Sequence, residues 1–390
     1  MTNTSATDIS ANGGLLAGLR VLDLSLWQPG HTSTQLLADL GAVVLKIEPP
    51  GGDRMRFMED RFVNFNGGKR SVVLDLKQDD DRLRLLGYAA EAEVVVENYR
   101  PGVADRLGVG FTDLTAVNPS IVLCSITGYG QTGELSQLPG HDHNFQAYAG
   151  AFTHPSDGGP PSPAGLLVGD QGGGLAAAFA ILAAVMCSHR TGEPEHIDVA
   201  ITDLLASWVA PMGPINTDIH AESDLSAEHL PGMGVFETAD GSFVELGVFS
   251  EDQLWNTLCD SLGLSRHIGL RMSDRSASAA ALRADLGLAI RSRTRDELVA
   301  SLCDAGVPIA PVLSRVEMLN HIHFRDRGVI TTGPAARRML GHPIQYAIHP
   351  ALPRRDAPSL GEHDRIGFDE ARQRLGPSSR SEWVPEAHRD

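Results

Sequence analysis

The chain has 390 residues, which is long enough for more than one simple domain. Hydrophobic residues make up 42% and charged residues 21%, as is usual for globular proteins. Its formal net charge of -17 argues against a broad basic face for nucleic acid, although a few Arg and Lys residues can still bind an anionic ligand locally. The four cysteines lie far apart in apolar contexts without CxxC spacing, so we expect reduced core thiols in a cytoplasmic protein.

The first part of the chain alternates short apolar runs with segments of helical spacing. Residues 1–14 are small and polar, lack the pattern of a signal peptide, and predict a disordered arm. Helical spacing at 33–40 and 79–90 between apolar runs indicates a mainly parallel sheet covered on both faces, hence an α/β fold. The runs predict five buried strands, at residues 18–24, 42–47, 71–76, 92–98 and 121–126.

The alternation breaks between residues 131 and 167, where Gly, Pro, Ser and His predominate. A loop of this length inside a compact domain is usually functional. An Ala-rich run follows at Leu175–Cys187, which is shorter than the roughly 20 residues that cross a bilayer and predicts a buried helix in a protein without a membrane partner. Another strand is predicted at Ile197–Ile201.

The second part of the chain differs in pattern. A polar connection at 213–233 leads to a predicted hairpin at 234–249, with its turn at Asp240-Gly241, and helical segments continue to about residue 306. We therefore predict a large α/β domain at 15–210 and a smaller α+β domain at 225–320.

Asp170 is followed by Gln171 and three glycines, Gly172 to Gly174, and then by the Ala-rich helical run. In one interpretation Asp170 is the N-cap of that helix. In the other, the glycines let a substrate approach the backbone, and the helix N-terminus favours a developing oxyanion. A carboxylate beside such a site can then be a nucleophile or a proton carrier.

His141, Asp142 and His143 lie together in the Gly/Pro loop before Asp170. They form a candidate acid–base cluster, because His titrates near neutral pH. The other interpretation is a loop histidine bonded to nearby backbone. The i, i+2 spacing of the two histidines, without a Cys or His pair nearby, gives little support to a metal site, and we expect none.

Further charged residues follow predicted strands. Arg100 ends the fourth strand, where ligands of open α/β sheets bind, and its guanidinium suits phosphate oxygens. Lys46, Lys69 and Arg70 are weaker candidates of the same kind, and each can instead be a surface cation. Glu251 begins a predicted helix, where a negative charge is also favourable without any catalytic role.

Several motifs that define other enzyme classes do not occur in this sequence. Gly128–Gly133 fits GxGxxG but follows the fifth strand and leads into a loop, so it does not support a dinucleotide site. The P-loop of kinases and the GxSxG elbow of serine hydrolases are both missing.

Six segments in order resemble the class III coenzyme A transferases, a family that includes the α-methylacyl-CoA racemases. The resemblance covers residues 15 to about 350. The segments are Gly18–Leu24, Leu37–Pro49, Gly68–Lys77, Glu97–Val103, Thr127–Gly133 and Val168–Gly174.

This resemblance implies a Rossmann-like large domain that residues 325–390 rejoin, a smaller domain between its two parts, and two chains interlocked as a homodimer. The substrate would be a coenzyme A thioester, without a tightly bound cofactor. The site would lie between domains and at the subunit interface. Contacts to CoA are expected from Arg100, Lys46, Lys69, Arg70, Asn98, Asp142, Gly128 and Tyr129.

The two branches of the family use Asp170 differently. In transferases the matching Asp attacks the thioester and forms an anhydride and then an aspartyl-CoA thioester. In racemases it works with a His, here His141, to remove and return the α-proton. The resemblance favours a 2-methylacyl-CoA racemase, with a CoA transferase as the alternative and a non-catalytic CoA-binding protein as a third possibility. Glu251 falls near the racemase glutamate that supports the His only if one residue is inserted; otherwise Ser250 takes that place.

Overall fold

The computed structural model describes residues 13–155, 158–212, 230–333 and 336–368. The chain divides into two compact units. The larger unit combines Met1–Ala210 with Ile322–Asp390, and the smaller consists of Pro211–His321. The predicted N-terminal arm and most of the 213–233 connection lie outside the described residues.

The larger unit is built on a six-stranded parallel sheet with the strand order β3-β2-β1-β4-β5-β6. All five predicted strands and the sixth at 197–201 are present. The apolar runs of the first five are largely buried because helices cover both faces of the sheet, whereas the edge strand at 195–200 is buried only at its last two residues. The strands are β1 (Arg20–Asp23), β2 (Val43–Glu48), β3 (Arg70–Val73), β4 (Val94–Glu97), β5 (Val122–Thr127) and β6 (Glu195–Ala200).

Alternate residues of β1, β2, β4 and β5 supply two separate cores, one on each face of the sheet. On one face, Leu22 and Leu45 pack with Leu85 of α3 and Leu114 of α5. On the other face, strand residues such as Val21 pack with Leu37 of α1 and Ile181 of α7. The helices of this unit are α1 (Gln28–Asp39), α2 (Glu59–Asn66), α3 (Asp79–Ala89), α4 (Val103–Arg106), α5 (Phe111–Val117), α6 (Asp142–Tyr148), α7 (Val168–Thr191), α8 (Ile201–Val209) and α14 (Ile322–Asp326).

Helix α7 is longer than the Ala-rich run predicted, because the glycine segment before that run is itself helical. Its 24 residues make it long and apolar enough to cross a membrane by length and composition alone, and the core helix of a folded unit passes the same test. Residues such as Ala177 and Ile181 on one side are buried, whereas Phe179 is 75% exposed. The expectation that this segment is too short to span a bilayer and fully buried is therefore corrected.

The chain after residue 350 packs on the edge of the sheet formed by β2 and β3. Arg354 forms an ion pair with Asp39 at the end of α1, with 2.6 Å between nitrogen and oxygen. The backbone N–H of His363 donates to the carbonyl of Ser71 in β3 at 2.9 Å. A short antiparallel pair, β10 (Ile330–Thr332) and β11 (Arg338–Leu340), precedes this segment.

The smaller unit contains an antiparallel sheet of order β7-β8-β9 and a helical layer. The predicted hairpin is β7 (Met233–Glu237) and β8 (Phe243–Gly247), and Gly241 in its turn has a φ of 71° that favours glycine. Trp255 and Leu286 contribute to its core. The remaining elements are β9 (Ile309–Pro311), α9 (Asp252–Ser261), α10 (Met272–Ala277), α11 (Ala279–Ile290), α12 (Arg295–Asp304) and α13 (Arg315–Asn320).

The cysteines divide into two kinds. Cys124 and Cys259 are buried thiols, as expected. Cys187 and Cys303 are exposed, so the prediction that all four lie in the core is wrong for these two. Cys187 lies near the end of α7, where the helix leaves the core.

Candidate active site

A pocket of about 870 Å³ opens at the carboxyl ends of β1, β4 and β5. In the strand order of this sheet, β1 and β4 are neighbours although β2 and β3 come between them along the chain. The connections after β1 and β4 therefore leave in opposite directions and open a crevice, which is where open α/β sheets bind ligands. The pocket lies entirely within the larger unit.

Asp170 lines this pocket from the first turn of α7. The helix begins at Val168 with Leu167 as its N-cap, so Asp170 is not the cap. Its backbone N–H donates to Oδ2 of Asp142 at 2.7 Å. Burial and the neighbouring charge of Asp142 raise the pKa of Asp170 to about 7, against the opposing charge of Arg61. This carboxyl group can therefore both accept and donate a proton near neutral pH.

The glycines after Asp170 serve helix packing. A side-chain carbon at Gly174 would lie 2.6 Å from Cβ of Thr32 in α1, and one at Gly173 would lie 3.0 Å from Ile201 in α8. Gly172 faces the ring of Trp208. Glycine is needed here because α7 passes close to its neighbours, and the interpretation in which these residues let a substrate approach the backbone is not supported.

His141 and Asp142 lie at the start of α6, and both line the same pocket as Asp170. Asp142 is buried and accepts hydrogen bonds from the Asp170 N–H and from the Gln146 side chain. His141 is exposed, its backbone N–H donates to Oδ1 of Asn144 at 3.0 Å, and its ring meets Trp27 edge-on with centroids 6.2 Å apart. Asp142 thus links α6 to α7 and brings the loop that carries His141 to Asp170.

Five of the eight predicted CoA-binding residues line the pocket: Asp142, Arg100, Asn98, Gly128 and Tyr129. Oε2 of Glu97 accepts the N–H of Tyr99 at 2.6 Å, which shapes the turn before Arg100. Burial raises the pKa of Glu97 to about 7, although hydrogen bonds from Ser125 and the Tyr99 backbone oppose this. The Arg100 side chain is exposed.

Lys46 and Lys69 occupy a different environment from the one predicted. Both are buried among charged and polar groups and neither lines the pocket. Nζ of Lys46 lies 2.8 Å from Oδ2 of Asp53, and Nζ of Lys69 lies 2.9 Å from Oδ2 of Asp23. Because these ammonium groups point into the protein and are engaged there, the structure does not support direct contact with a phosphate. We call Asp23, His31, Lys46, Asp53 and Lys69 the buried cluster.

Arg70 and Glu251 also lie away from the pocket lining. The guanidinium of Arg70 donates to the carbonyl of Gly367 at 2.7 Å. Glu251 belongs to the smaller unit, where it is the residue before α9 and its Oε2 accepts the N–H of Phe249 at 3.1 Å. Glu251 therefore places the expected negative charge at the start of α9. Its support of His141 in catalysis stays a prediction.

The structure adds pocket residues that sequence reasoning missed. Trp27 follows β1, and Met55, Met58 and Arg61 follow β2. Their position after neighbouring parallel strands was the available signal, since carboxyl ends of such strands meet at one edge. Within the described ranges, no group of three or more His, Cys, Asp and Glu residues is arranged to hold a metal ion.

Comparison with known proteins gives a consistent result. The model of CoA-transferase family III matches residues 16–364. An acetyl-CoA:oxalate CoA-transferase from Acetobacter aceti is 33% identical, over 86% of this chain and 90% of its own. A succinyl-CoA:mesaconate CoA-transferase from Haloarcula hispanica is 34% identical, over 92% of this chain and 96% of its own. An alpha-methylacyl-CoA racemase from Homo sapiens is 31% identical, over 89% of this chain and 91% of its own.

Solved structures agree with the sequence comparison. A CaiB/BaiF family protein from Brucella suis superposes with a TM-score of 0.82 at 28% identity. The match covers 92% of this chain and all of the other. The similarity therefore extends over both units.

Proposed function

Because this chain belongs to CoA-transferase family III and acts on CoA thioesters, we propose that it is a racemase of 2-methylacyl-CoA thioesters. The observation that carries the proposal is the presence of two proton carriers, His141 and Asp170, on one pocket. A racemisation needs a group to take the α-proton and a group to return it on the opposite face. The raised pKa of Asp170, about 7, suits either half of that exchange.

In the proposed reaction the 2-methylacyl thioester lies with its α-carbon between the two groups. One of them removes the α-proton, and the electron pair moves to the thioester oxygen as an enolate. The partner then delivers a proton to the other face of the α-carbon, so the two groups exchange protonation states. The N-terminal end of α7, on which Asp170 lies, carries a positive partial charge that favours the enolate.

We assign the nucleotide part of the substrate to the side of the pocket that is lined by the residues after β4 and β5. Arg100 is exposed there, and its fork suits the phosphate oxygens of CoA. Asn98, Gly128 and Tyr129 line the wall beside it. Tyr129 packs edge-on against Phe145 and Tyr148, so this wall is aromatic.

The second candidate is a CoA transferase, which several relatives with transferase names favour. There Asp170 attacks the thioester carbonyl, expels CoA as the thiolate and forms an anhydride. That attack needs an ionised carboxylate. With a pKa of about 7, Asp170 is partly ionised near neutral pH, so this carboxyl group can attack a thioester as well as carry a proton, and its pKa does not separate the two candidates.

One experiment separates the two candidates. The enzyme is incubated with 2-methylacyl-CoA in deuterated water, and a parallel sample with acyl-CoA is treated with hydroxylamine. A racemase incorporates deuterium at the α-carbon and loses this activity in His141→Ala. A transferase instead gives a trapped adduct at Asp170 by mass spectrometry. The adduct without any exchange would reject the racemase.

We also propose a homodimer. Leu175, Phe179 and Met186 form an exposed apolar stripe on α7, and a second copy of the chain would cover it. Light scattering should give twice the monomer mass of 41.6 kDa. Phe179→Glu should shift the protein toward the monomer, and an unchanged mass in that variant would assign the interface elsewhere.

A further inference from the structure

Arg61 is a positively charged residue of the pocket. It lies on α2, its side chain is exposed, and it lines the pocket together with Asp170. Across the described part of the chain it forms no hydrogen bond and no ion pair. Arg56, one turn before α2, is different: its guanidinium is held by both carboxylate oxygens of Glu48. The free donors of Arg61 are therefore available to a ligand.

The surroundings of Arg61 separate it from ordinary surface cations. Its positive charge acts on Asp170 and opposes the rise in the pKa of that carboxyl group. The other side chains that enter the pocket from the same stretch of chain are Met55 and Met58, which offer no charge. Arg61 is thus a single cation on an otherwise apolar wall, within electrostatic range of the reacting carboxylate.

The strand order places Arg61 on the opposite flank from Arg100. Arg61 follows β2 and Arg100 follows β4, and β1 lies between these strands. If Arg100 holds the phosphates, the thioester lies at Asp170 and His141, and the acyl group extends toward β2. The long pantetheine arm keeps the phosphates of CoA away from the thioester, so Arg61 is left to the acyl group.

We propose that Arg61 binds a carboxylate carried by the acyl group, so that the substrate is the mono-CoA thioester of a 2-methyl dicarboxylic acid. This inference rests on the proposed function, because the racemase reaction is what places a methyl group on the α-carbon of the substrate. A guanidinium binds a carboxylate through two parallel hydrogen bonds. An acyl group with an alkyl end would instead leave Arg61 buried under the substrate without a partner, which is unfavourable. The arrangement therefore selects an acidic acyl group over a fatty one.

The test uses two matched ligands. One is 2-methylsuccinyl-CoA with the thioester next to the methyl-bearing carbon, and the other is 2,4-dimethylpentanoyl-CoA, in which an isopropyl group replaces the carboxylate. Unreactive thioether analogues of both are titrated calorimetrically into the wild type, Arg61→Met, Arg61→Lys and Arg54→Met. Arg54 is an exposed residue outside the pocket lining and controls for the loss of a nearby charge. The thioesters themselves are assayed for deuterium exchange.

We expect Arg61→Met to weaken binding of the carboxylate ligand roughly 10-fold or more, since it removes charge-assisted hydrogen bonds. Binding of the isopropyl ligand should change less than about 3-fold, Arg61→Lys should retain part of the preference, and Arg54→Met should match the wild type. Equal losses for both ligands would overturn the inference. Discrimination without any deuterium exchange would keep the acidic acyl group and reject the racemase, so the two failures are distinguishable.

Discussion

The buried cluster and the pocket both hold carboxylates away from water, and they differ in what faces each carboxylate. In the cluster, burial alone would raise the pKa of Asp53, but the hydrogen bond from His31 and the charge of Lys46 lower it to about 2. In the pocket, burial and then the like charge of Asp142 raise the pKa of Asp170 to about 7, and the charge of Arg61 opposes this rise only in part. Burial raises the pKa of each of these carboxyl groups, and the hydrogen bonds and charges around the group decide whether that rise is reversed, as at Asp53, or kept, as at Asp170.

The difference assigns separate roles to the two regions. Every charge in the buried cluster has an opposite charge within ion-pair distance, so the cluster joins β1, β2 and α1 firmly but has no free group for a ligand. The pocket leaves Asp170 and Arg61 without hydrogen-bonded partners for their side chains within the described residues. For the carboxyl group of Asp170, whose burial raises its pKa, this arrangement costs stability, and it leaves both groups free for chemistry.

The largest expected effect is on catalysis. Asp170→Asn removes a proton carrier while it keeps the shape of the side chain, so the rate of α-deuterium exchange should fall by about 1000-fold. The control is Asp203→Asn, an exposed acid on α8, which should keep the wild-type rate. If the exchange rate of Asp170→Asn falls by less than about 10-fold, Asp170 is not a proton carrier, and the catalytic role proposed for the pocket is wrong.

The next effect is on folding of the buried cluster. Lys69→Met leaves Asp23 charged, fully buried and without its ion-pair partner, and should lower the free energy of unfolding by about 3 kcal/mol. Urea unfolding measures this change, with the exposed Lys77→Met as control. Asp23→Asn combined with Lys69→Met should recover part of the loss. A single variant as stable as the wild type would show that the pairing is dispensable.

Asp170→Asn should act on stability in the opposite direction. The pKa of Asp170 in the folded protein, about 7, exceeds the ordinary aspartate value of 3.8, so the folded form holds its proton more tightly and its stability falls as pH rises from about 4 to 7. Asn has no such charge and should raise the free energy of unfolding at pH 8 by about 2 kcal/mol. The gain should vanish below pH 4, and a gain independent of pH would contradict this explanation.

The smallest effect concerns the position of one limb in the pH–rate profile. Asp142→Asn removes the like charge that faces Asp170, so the pKa of Asp170 should fall and the corresponding limb should move to lower pH. The Asn side chain retains an oxygen for the Asp170 N–H. Exchange rates between pH 5 and 9 in both proteins provide the measurement. A limb that stays at the same pH would assign the raised pKa to burial alone.

Local patterns were reliable where one physical effect dominated. Apolar runs such as Val94–Glu97 form strands in the middle of the sheet, because β-branched residues buried on both sides have few other stable arrangements. Asp240-Gly241 marks a hairpin turn because the left-handed backbone there needs glycine. Asp170 and His141 were found through motifs in order along the chain, and the structure has both on one pocket.

The sequence by itself determined the parallel α/β class and the family. It also identified Asp170 and His141 as candidate site residues. Only the tertiary structure decided that Asp170 is not a helix cap, that Gly172–Gly174 serve helix packing, that Lys46 and Lys69 are buried in ion pairs, and that Arg61 enters the pocket. A pattern along the chain records which residues are apolar or charged. The state of a charge depends on neighbours from distant segments, because burial and Coulomb interactions act through space.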